Sequence, residues 1–313
     1  MERTESTPRI AVVIPCFDEA PTIAAVVRDF REHLPGATVY VFDNASTDGS
    51  GDLAGAAGAE VVHSPRRGKG NVLRHMGMAV DADIYVVVDG DGTYPAAAAP
   101  DMVATLQREG LDMLVGARLQ RHAADGSFRP FHRVGNHLVS GLVRFLFRTD
   151  LTDVLSGYRV LSRNFVNVVR PNSAGFQVET EMTAQALTKR LAVAEVPVDY
   201  FPRPEGSVSK LSTYNDGFLI AKCILLLFKD YRPLGFFSIL AALLAVASIV
   251  SGIGPIRDFV ETGYVLRVPR AILAVGLGTL SIVFLTAGLI LDTISKLHQE
   301  TIELWKQVLR DRR

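Results

Sequence analysis

The chain is short of cysteine: Cys16 and Cys223 are its only two, and each sits in an apolar setting. Two thiols cannot build a disulfide framework, so they are expected to be unreactive and buried in a reducing compartment. Tryptophan occurs once, at Trp305 in "ELWK". An excess of either charge is missing as well. Lysine plus arginine and aspartate plus glutamate both number 33, so no net field draws the chain to nucleic acid and no such partner is expected. The start, "MERTESTPR", has no apolar stretch behind a basic residue, which argues against a signal peptide. The "GKG" at Gly68–Gly70 is no P-loop, because Lys69 is followed by glycine rather than Ser or Thr, and it does not complete G-x-G-x-x-G. The commonest NTPase and dinucleotide readings fall with it.

What the chain has is size and uneven hydrophobicity. With 313 residues, 48% of them hydrophobic, it can bury a large core and exceed one domain. Leu234–Ile253 and Ala271–Leu291 contain no charged residue. Each approaches the roughly 20 apolar residues a helix needs to cross a bilayer, and two such runs in tandem outweigh a buried soluble hairpin. The link Gly254–Arg270 holds Arg257, Arg267 and Arg270. The outer flanks are more basic, with Lys222, Lys229 and Arg232 on one side and Lys296, Lys306, Arg310, Arg312 and Arg313 on the other. That asymmetry predicts a two-span cell-membrane protein with its catalytic domain and both termini in the cytoplasm. The expected division is a cytosolic domain over 1–215, a juxtamembrane amphipathic helix over 216–232, a transmembrane hairpin over 233–292 and a cytosolic helix over 293–313. The last is read as a surface helix or a subunit contact, the latter giving a homo-oligomer.

The first part alternates strand and helix patterns. Ile10–Ile14, Val39–Phe42, Glu60–His63 and Ile84–Val88 are short and rich in β-branched residues. Helical patterns over Thr22–Leu34, after Ser50 and over Asn71–Val80 separate them. This βαβ rhythm predicts an α/β fold with a parallel sheet covered by helices, whose ligands bind beyond the carboxyl ends of the strands. The polar clusters fall at those ends: "PCFDEA", "DNASTDGS", "RRGKGN" and "DGDGTYP". Taken singly, the second reads as a capped turn and the third as an ordinary loop. Their convergence on one rim points to a ligand. A Gly-Lys-Gly loop at a helix start offers N–H groups and a cation to phosphate. Asp89 and Asp91 can share hard Mg²⁺ or Mn²⁺ with a diphosphate, and Gly90 between them is expected to allow a tight turn. Such a set suits a nucleotide diphosphate carrying a leaving group. Phe131–Arg148 has Phe131, Val134, Leu138, Leu142 and Phe145 at helical spacing, which fits either a basic interfacial helix or one packed on its own domain.

The series Pro15-Cys16-Phe17-Asp18-Glu19, Asp43…Asp48, Gly68-Lys69-Gly70 and Asp89-Gly90-Asp91 resembles the family 2 glycosyltransferases of GT-A (Rossmann-like) fold. With "GAR" at Gly116–Arg118, "DVLSGYR" at Asp153–Arg159, "GFQVETEM" at Gly175–Met182 and "RPEGSVSKL" at Arg203–Leu211, it is similar to the polyprenyl-phosphate sugar synthases, the dolichol-phosphate mannose synthase and dolichol-phosphate glucosyltransferase group. The resemblance implies an inverting, metal-dependent hexosyltransferase that moves a sugar from a nucleotide-diphosphate donor to polyprenyl phosphate. It places Pro15, Phe17, Glu19, Asp43 and Lys69 around the nucleotide, Asp89, Gly90 and Asp91 at the metal and diphosphate, and Arg203 and Lys210 over the phosphates. Arg118, Arg133 and Asn136 are implied at the acceptor phosphate, and Asp89, Asp91, Arg118 and Lys210 as the catalytic set. Many relatives carry glutamine two residues past the second aspartate, where this chain has Thr93. Asp153 is read as orienting the acceptor or Arg159, or as a structural loop residue. Glu179 and Glu181 are read as solvated charges or as contacts to sugar hydroxyls. The alternative is a membrane glycosyltransferase acting on a hydroxyl in surface polysaccharide synthesis, but such enzymes usually carry Q-x-x-R-W, and Trp305 is in no such setting. "DGDGTYP" and "DNASTDGS" stand nearer the UDP-sugar members, such as those using UDP-glucose, than the GDP-mannose ones.

Overall fold

The computed structural model describes residues 7–119, 130–173, 177–204, 222 and 225–311, with backbone alone at 130–135, 298–299 and 302–311. The chain divides into two units, Met1–Ala221 and Lys222–Arg313.

In the first unit, strands β1 (Ile10–Cys16), β2 (Ala37–Asp43), β3 (Glu60–His63), β4 (Ile84–Val87), β5 (Met113–Leu119), β6 (Arg159–Ser162) and β7 (Val193–Asp199) form one sheet. Its order is β3-β2-β1-β4-β6-β5-β7. Helices α1 (Ile23–His33), α2 (Ser50–Ala56), α3 (Lys69–Ala79), α4 (Ala99–Arg108), α5 (Pro130–Phe147), α6 (Arg163–Val168) and α7 (Val178–Thr188) connect the strands. Strands apolar at every position need cover on both faces, because successive side chains point to opposite sides. Val12 and Ile14 of β1, with Ile84 and Val86 of β4, pack against Ile23, Val27 and Phe30 of α1 and Met102 and Leu106 of α4. The intervening Ala11, Val13, Tyr85 and Val87 pack against Val72, Leu73 and Met76 of α3, Phe165 of α6 and Met182 of α7.

Pairs β1–β2, β1–β4, β2–β3 and β5–β7 are parallel. Strand β6 runs antiparallel between β4 and β5. The reversal matters for the site. The chain enters β6 at the rim where β4 and β5 end, so the loop 152–158 joins the loops that follow the parallel strands.

Helix α5 divides its apolar residues between two faces. Val139, Val143 and Leu146 are buried, while Leu138 and Phe145 are exposed. One apolar face packs on the first unit, and a second stays open.

In the second unit, residues 225–231 are helical; residues 216–221, 223 and 224 of the expected juxtamembrane helix lie outside the described residues. Helices α8 (Pro233–Thr262, 30 residues) and α9 (Val268–Asp311, 44 residues) follow. The expected polar link is thus largely helical, leaving a short turn with Gly263 in the left-handed region. The C-terminal segment continues α9 without a break. At about 1.5 Å per residue, 30 residues reach some 45 Å, enough to span a bilayer. Small residues bring the pair together. The Ser248 hydroxyl donates to the Ala274 carbonyl at 2.7 Å, and that of Ser281 to the Ala241 carbonyl at 2.8 Å. Only 11% of the most apolar stretch of each helix is buried, with Leu243, Ile249, Val275 and Ile282 among the exposed side chains. Apolar surface on that scale is foreign to a soluble helix pair; both helices are long and apolar enough to cross a membrane.

Candidate active site

A cavity of about 310 Å³ opens at the carboxyl rim of β1, β2 and β4, lined by Pro15, Cys16, Phe17, Glu19, Asn44, Arg67, Gly68, Lys69, Val72, Asp89, Gly90, Asp91 and Arg203. Backbone and side-chain hydrogen bonds brace its walls. The N–H groups of Asp18 and Glu19 donate to Ser46 Oγ (3.1 Å) and Ser50 Oγ (2.8 Å). Asn44 uses its whole amide: Nδ2 donates to the carbonyls of Ser64 and Arg66, and Oδ1 accepts from Gly68 N–H. That fixes the approach to Lys69. The Arg67 guanidinium lies 4.7 Å from the centre of the Phe17 ring, a cation–π contact at the wall. Cys16 is buried, and burial above all pushes its thiol up to about 11, so it lines the cavity as an inert group.

Two acid–cation pairs meet in this cavity. Lys69 pairs with Asp89, and Arg203 with Asp91 at 2.7 Å. Asp91 is buried, and its carboxyl is raised above the ordinary aspartate range by burial first and then by the charge of Asp89, against hydrogen bonds from Thr93 and the charge of Arg203. Thr93 thus supports the acid, donating to Asp91 Oδ1 from its hydroxyl (2.6 Å) and its N–H (3.2 Å). Gly90 departs from the expected reason for a glycine. Positive φ falls at Gly92, not Gly90; a Cβ on Gly90 would press at 3.3 Å on both Ile14 and Ile23. The requirement is close packing, and the Gly90 carbonyl is pinned by the Thr22 hydroxyl at 2.7 Å.

Lys69 has a second carboxylate partner, Glu179 from the first turn of α7, at 2.6 Å. Burial would lower the Lys69 ammonium's pKa, but the charges of Asp89 and Glu179 outweigh it and hold it above the usual lysine value. Glu179 is buried, not a solvated helix-face charge. Glu181 instead accepts from the N–H groups of Asn172 and Ser173.

A second cluster forms on the loop 152–158. Arg118, at the end of β5, donates to both oxygens of Asp153, from Nε (2.7 Å) and Nη2 (2.8 Å), and stacks over the Tyr200 ring. Burial works against the Asp153 charge, but Arg118 and a hydrogen bond from Asn136 bring its carboxyl below the ordinary value. Glu195 of β7 accepts from the N–H and hydroxyl of Thr152. Arg159 is buried and donates to the carbonyls of Val154 and Ser156 and to the Thr183 hydroxyl, so it shapes the loop from within. Gly157 joins the two clusters: its N–H donates to the Tyr94 hydroxyl at 3.1 Å, and a Cβ there would lie 2.2 Å from Asp89 Oδ2.

Of the residues singled out from sequence, the cavity brings together Pro15, Phe17, Glu19, Lys69, Asp89, Gly90, Asp91 and Arg203. Arg118 and Asn136 meet around Asp153. Asp43 stands behind the wall, accepting from Ser46 N–H at 3.0 Å and facing His63 at 3.5 Å, while its neighbour Asn44 lines the cavity. The Arg133 side chain and Lys210 lie outside the described residues. Sequence reading passed over Asn44, Arg67, Tyr94 and Glu195. The first three sit inside polar clusters at strand ends, and that position was their only signal.

The acids also fit a divalent cation. Both are hard oxygen donors at one strand end, the charge of Asp89 adds to burial in raising Asp91, and two carboxylates leave room for phosphate oxygens and water. Comparison with known proteins agrees with this architecture. Glycosyltransferase AglJ of Haloferax volcanii is 33% identical over 300 residues, covering 94% of this chain and 96% of that protein. An undecaprenyl-phosphate mannosyltransferase of Micrococcus luteus is 25% identical over 218 residues, 65% of this chain and 88% of that protein. Among solved structures, glucosyl-3-phosphoglycerate synthase from Mycobacterium tuberculosis, in complex with Mn²⁺, UDP and glucosyl-3-phosphoglycerate, aligns with a TM-score of 0.58 at 24% identity over 73% of this chain and 85% of that one; this likeness shows the fold. Residues 11–169 match the model of glycosyl transferase family 2, and the chain belongs to that family.

Proposed function

We propose that the protein transfers a hexose from a nucleotide-diphosphate sugar to polyprenyl phosphate, with inversion at the anomeric carbon. The observation that carries this reading is the cavity at the sheet's carboxyl rim, where Lys69, Arg203, Asp89 and Asp91 meet in a chain with two apolar helices long enough to cross a membrane. A soluble donor and a lipid acceptor need such a combination, and the undecaprenyl-phosphate mannosyltransferase relative supports the acceptor.

In this reading Asp89 and Asp91 hold Mg²⁺ or Mn²⁺. The cation, when bound, supplies positive charge beside the departing diphosphate. Lys69 and Arg203 add theirs from the protein, and Lys210 joins them from the segment after Arg203. Arg118, Arg133 and Asn136 orient the acceptor phosphate. A phosphate monoester has a second pKa near 6 and arrives largely ionised at neutral pH, so the site needs no strong base. A single displacement turns an α-linked donor into a β-linked product. The donor favoured is a UDP-sugar such as UDP-glucose, with GDP-mannose next. The basic flanks of the helix pair favour a cytoplasmic catalytic unit and cytoplasmic termini.

The test incubates purified full-length protein with polyprenyl phosphate and a panel of UDP- and GDP-sugars, with Mn²⁺ or Mg²⁺, and looks for glycolipid by mass. A β-linked polyprenyl-phosphate sugar is expected. Nucleotide binding without product from any donor would remove the enzymatic reading, and product only on a hydroxyl acceptor would replace polyprenyl phosphate.

A further inference from the structure

Lys69 is one cation held between two carboxylates, and those two are not equivalent. Asp89 lines the cavity, whereas Glu179 does not. Glu179 approaches Lys69 from α7 at 2.6 Å, and its carboxylate has no other described partner. Its second oxygen, Oε2, is buried with no hydrogen-bond partner among the described residues. A buried carboxylate with one oxygen unmet is costly unless a cation sits beside it, so Glu179 is bound to follow Lys69. The opposite side of the lysine is closed as well: a Cβ on Gly157 would stand 2.9 Å from Nζ. Asp89, open to the cavity, can exchange its lysine for a ligand cation, whereas Glu179 lies off the cavity, and the buried Arg159, whose charge it also feels, makes no hydrogen bond to it among the described residues.

We infer that Glu179 is a positioning residue that keeps the Lys69 ammonium at the diphosphate end of the cavity when Asp89 turns away from it. This rests on the nucleotide-diphosphate reading of the cavity. It gives Glu179 no contact with the sugar; its whole effect passes through Lys69.

Calorimetric titration of the purified full-length protein with UDP and GDP, in EDTA and again in Mn²⁺, tests it. In EDTA, Glu179→Gln and Lys69→Gln should each weaken binding by about tenfold, the scale of one charge-assisted hydrogen bond. The double variant should bind like Lys69→Gln alone, because residues acting through one group are not additive. Two results would overturn the inference. Unchanged or tighter binding by Glu179→Gln is what its charge would give acting through space alone, since removing an anion favours an anionic ligand. Losses that sum in the double variant would mean that Glu179 acts on the ligand itself. If Glu179→Gln fails to fold, Glu179→Asp, which keeps the charge but draws it back, should weaken binding in the same direction, and unchanged binding again overturns the inference. A wild-type protein that binds neither nucleotide removes the cavity reading along with it. Wild-type binding with an unaffected Glu179→Gln removes this inference alone.

Discussion

The stretch "DADIYVVVDGDG" carries the same D-x-D spacing at both ends of strand β4, Asp81-Ala82-Asp83 before it and Asp89-Gly90-Asp91 after it. Each pair has gathered two cations. At the amino end Arg9 and Arg163 bridge Asp81 and Asp83 at 2.8–3.8 Å, with side chains 38–68% exposed. At the carboxyl end Lys69 and Arg203 take the same places, with Lys69 10% and Asp91 6% exposed and Asp89 and Arg203 32% each, so one member of each pair is buried. The spacing and the two cations match; the surroundings do not, and at the carboxyl end Lys69 also holds a third acid, Glu179. The exposed cluster staples β1, β4 and β6, and water screens most of its energy. The buried one lies where parallel strands end and leave a crevice. Spacing alone therefore cannot separate chemistry from fastening, whereas burial and strand direction can.

The variant with the largest expected effect should tell the two pairs apart most sharply. Asp91→Asn is expected to lower turnover by at least about a thousandfold, the scale on which preorganised electrostatic groups act, while the protein stays folded. Its stability should move the other way. Burial and then the charge of Asp89 raise the Asp91 carboxyl in the folded state, so above that raised pKa the ionised side chain costs folding energy, and below the unfolded value of 3.8 it costs none. Thermal melts should show Asp91→Asn as stable as the parent or more so at pH 7, with the gain shrinking as pH falls toward 3.8. A less stable variant at neutral pH would mean that Arg203 outweighs burial there. Retained turnover would remove Asp91 from the metal site.

Asp153→Asn comes next and should carry the opposite pH signature. Against the cost of burial, Arg118 lowers the Asp153 carboxyl in the folded state. Its stabilisation is then complete above 3.8 and fades only as pH falls below that, through the depressed folded value. Breaking a buried bidentate pair costs about 3 kcal/mol, so the variant should melt well below the parent from pH 5 to 7 and approach it under acid. Loss of its orienting partner should let Arg118 drift, raising KM for the lipid phosphate about tenfold or more with a smaller change in KM for the donor. Equal changes in both would place Arg118 away from the acceptor.

How much of this was legible beforehand follows from the physics of each segment. Strands β1 to β4 and helices α1 to α3 announce themselves because buried parallel strands are continuous apolar runs closed by polar loops. Strand β6 is hidden. Four residues long, it is the antiparallel member, and pairing direction leaves no mark in composition. With it were hidden the position of loop 152–158 beside Asp89 and the junction at Gly157. Lys69, Asp89 and Asp91 were legible as strand-end polar residues. Glu179 was named, but as a solvated charge or a sugar contact, since its pairing with Lys69 joins residues 110 apart that only the sheet brings together. Asp43 was named at the nucleotide, and its bond to Ser46 N–H was not legible, because a strand-end carboxylate looks the same in sequence whether it faces a ligand or caps its own turn.

The smallest expected effect tests the comparison from its other side. Asp81 is drawn below its ordinary value first by a hydrogen bond from Arg9, yet it stands in solvent. Solvent and mobile ions replace a partner lost from such a site at little cost. Asp81→Asn should therefore leave turnover within about twofold of the parent and move the melting midpoint by no more than about 2 °C. Raising the salt concentration should shrink even that shift, because exposed pairs beyond about 10 Å of open water are screened and near ones weakened. A tenfold loss of activity from Asp81→Asn would break the comparison outright. The amino-end cluster would then reach the site through β4 itself, and burial would no longer be what distinguishes one D-x-D from the other.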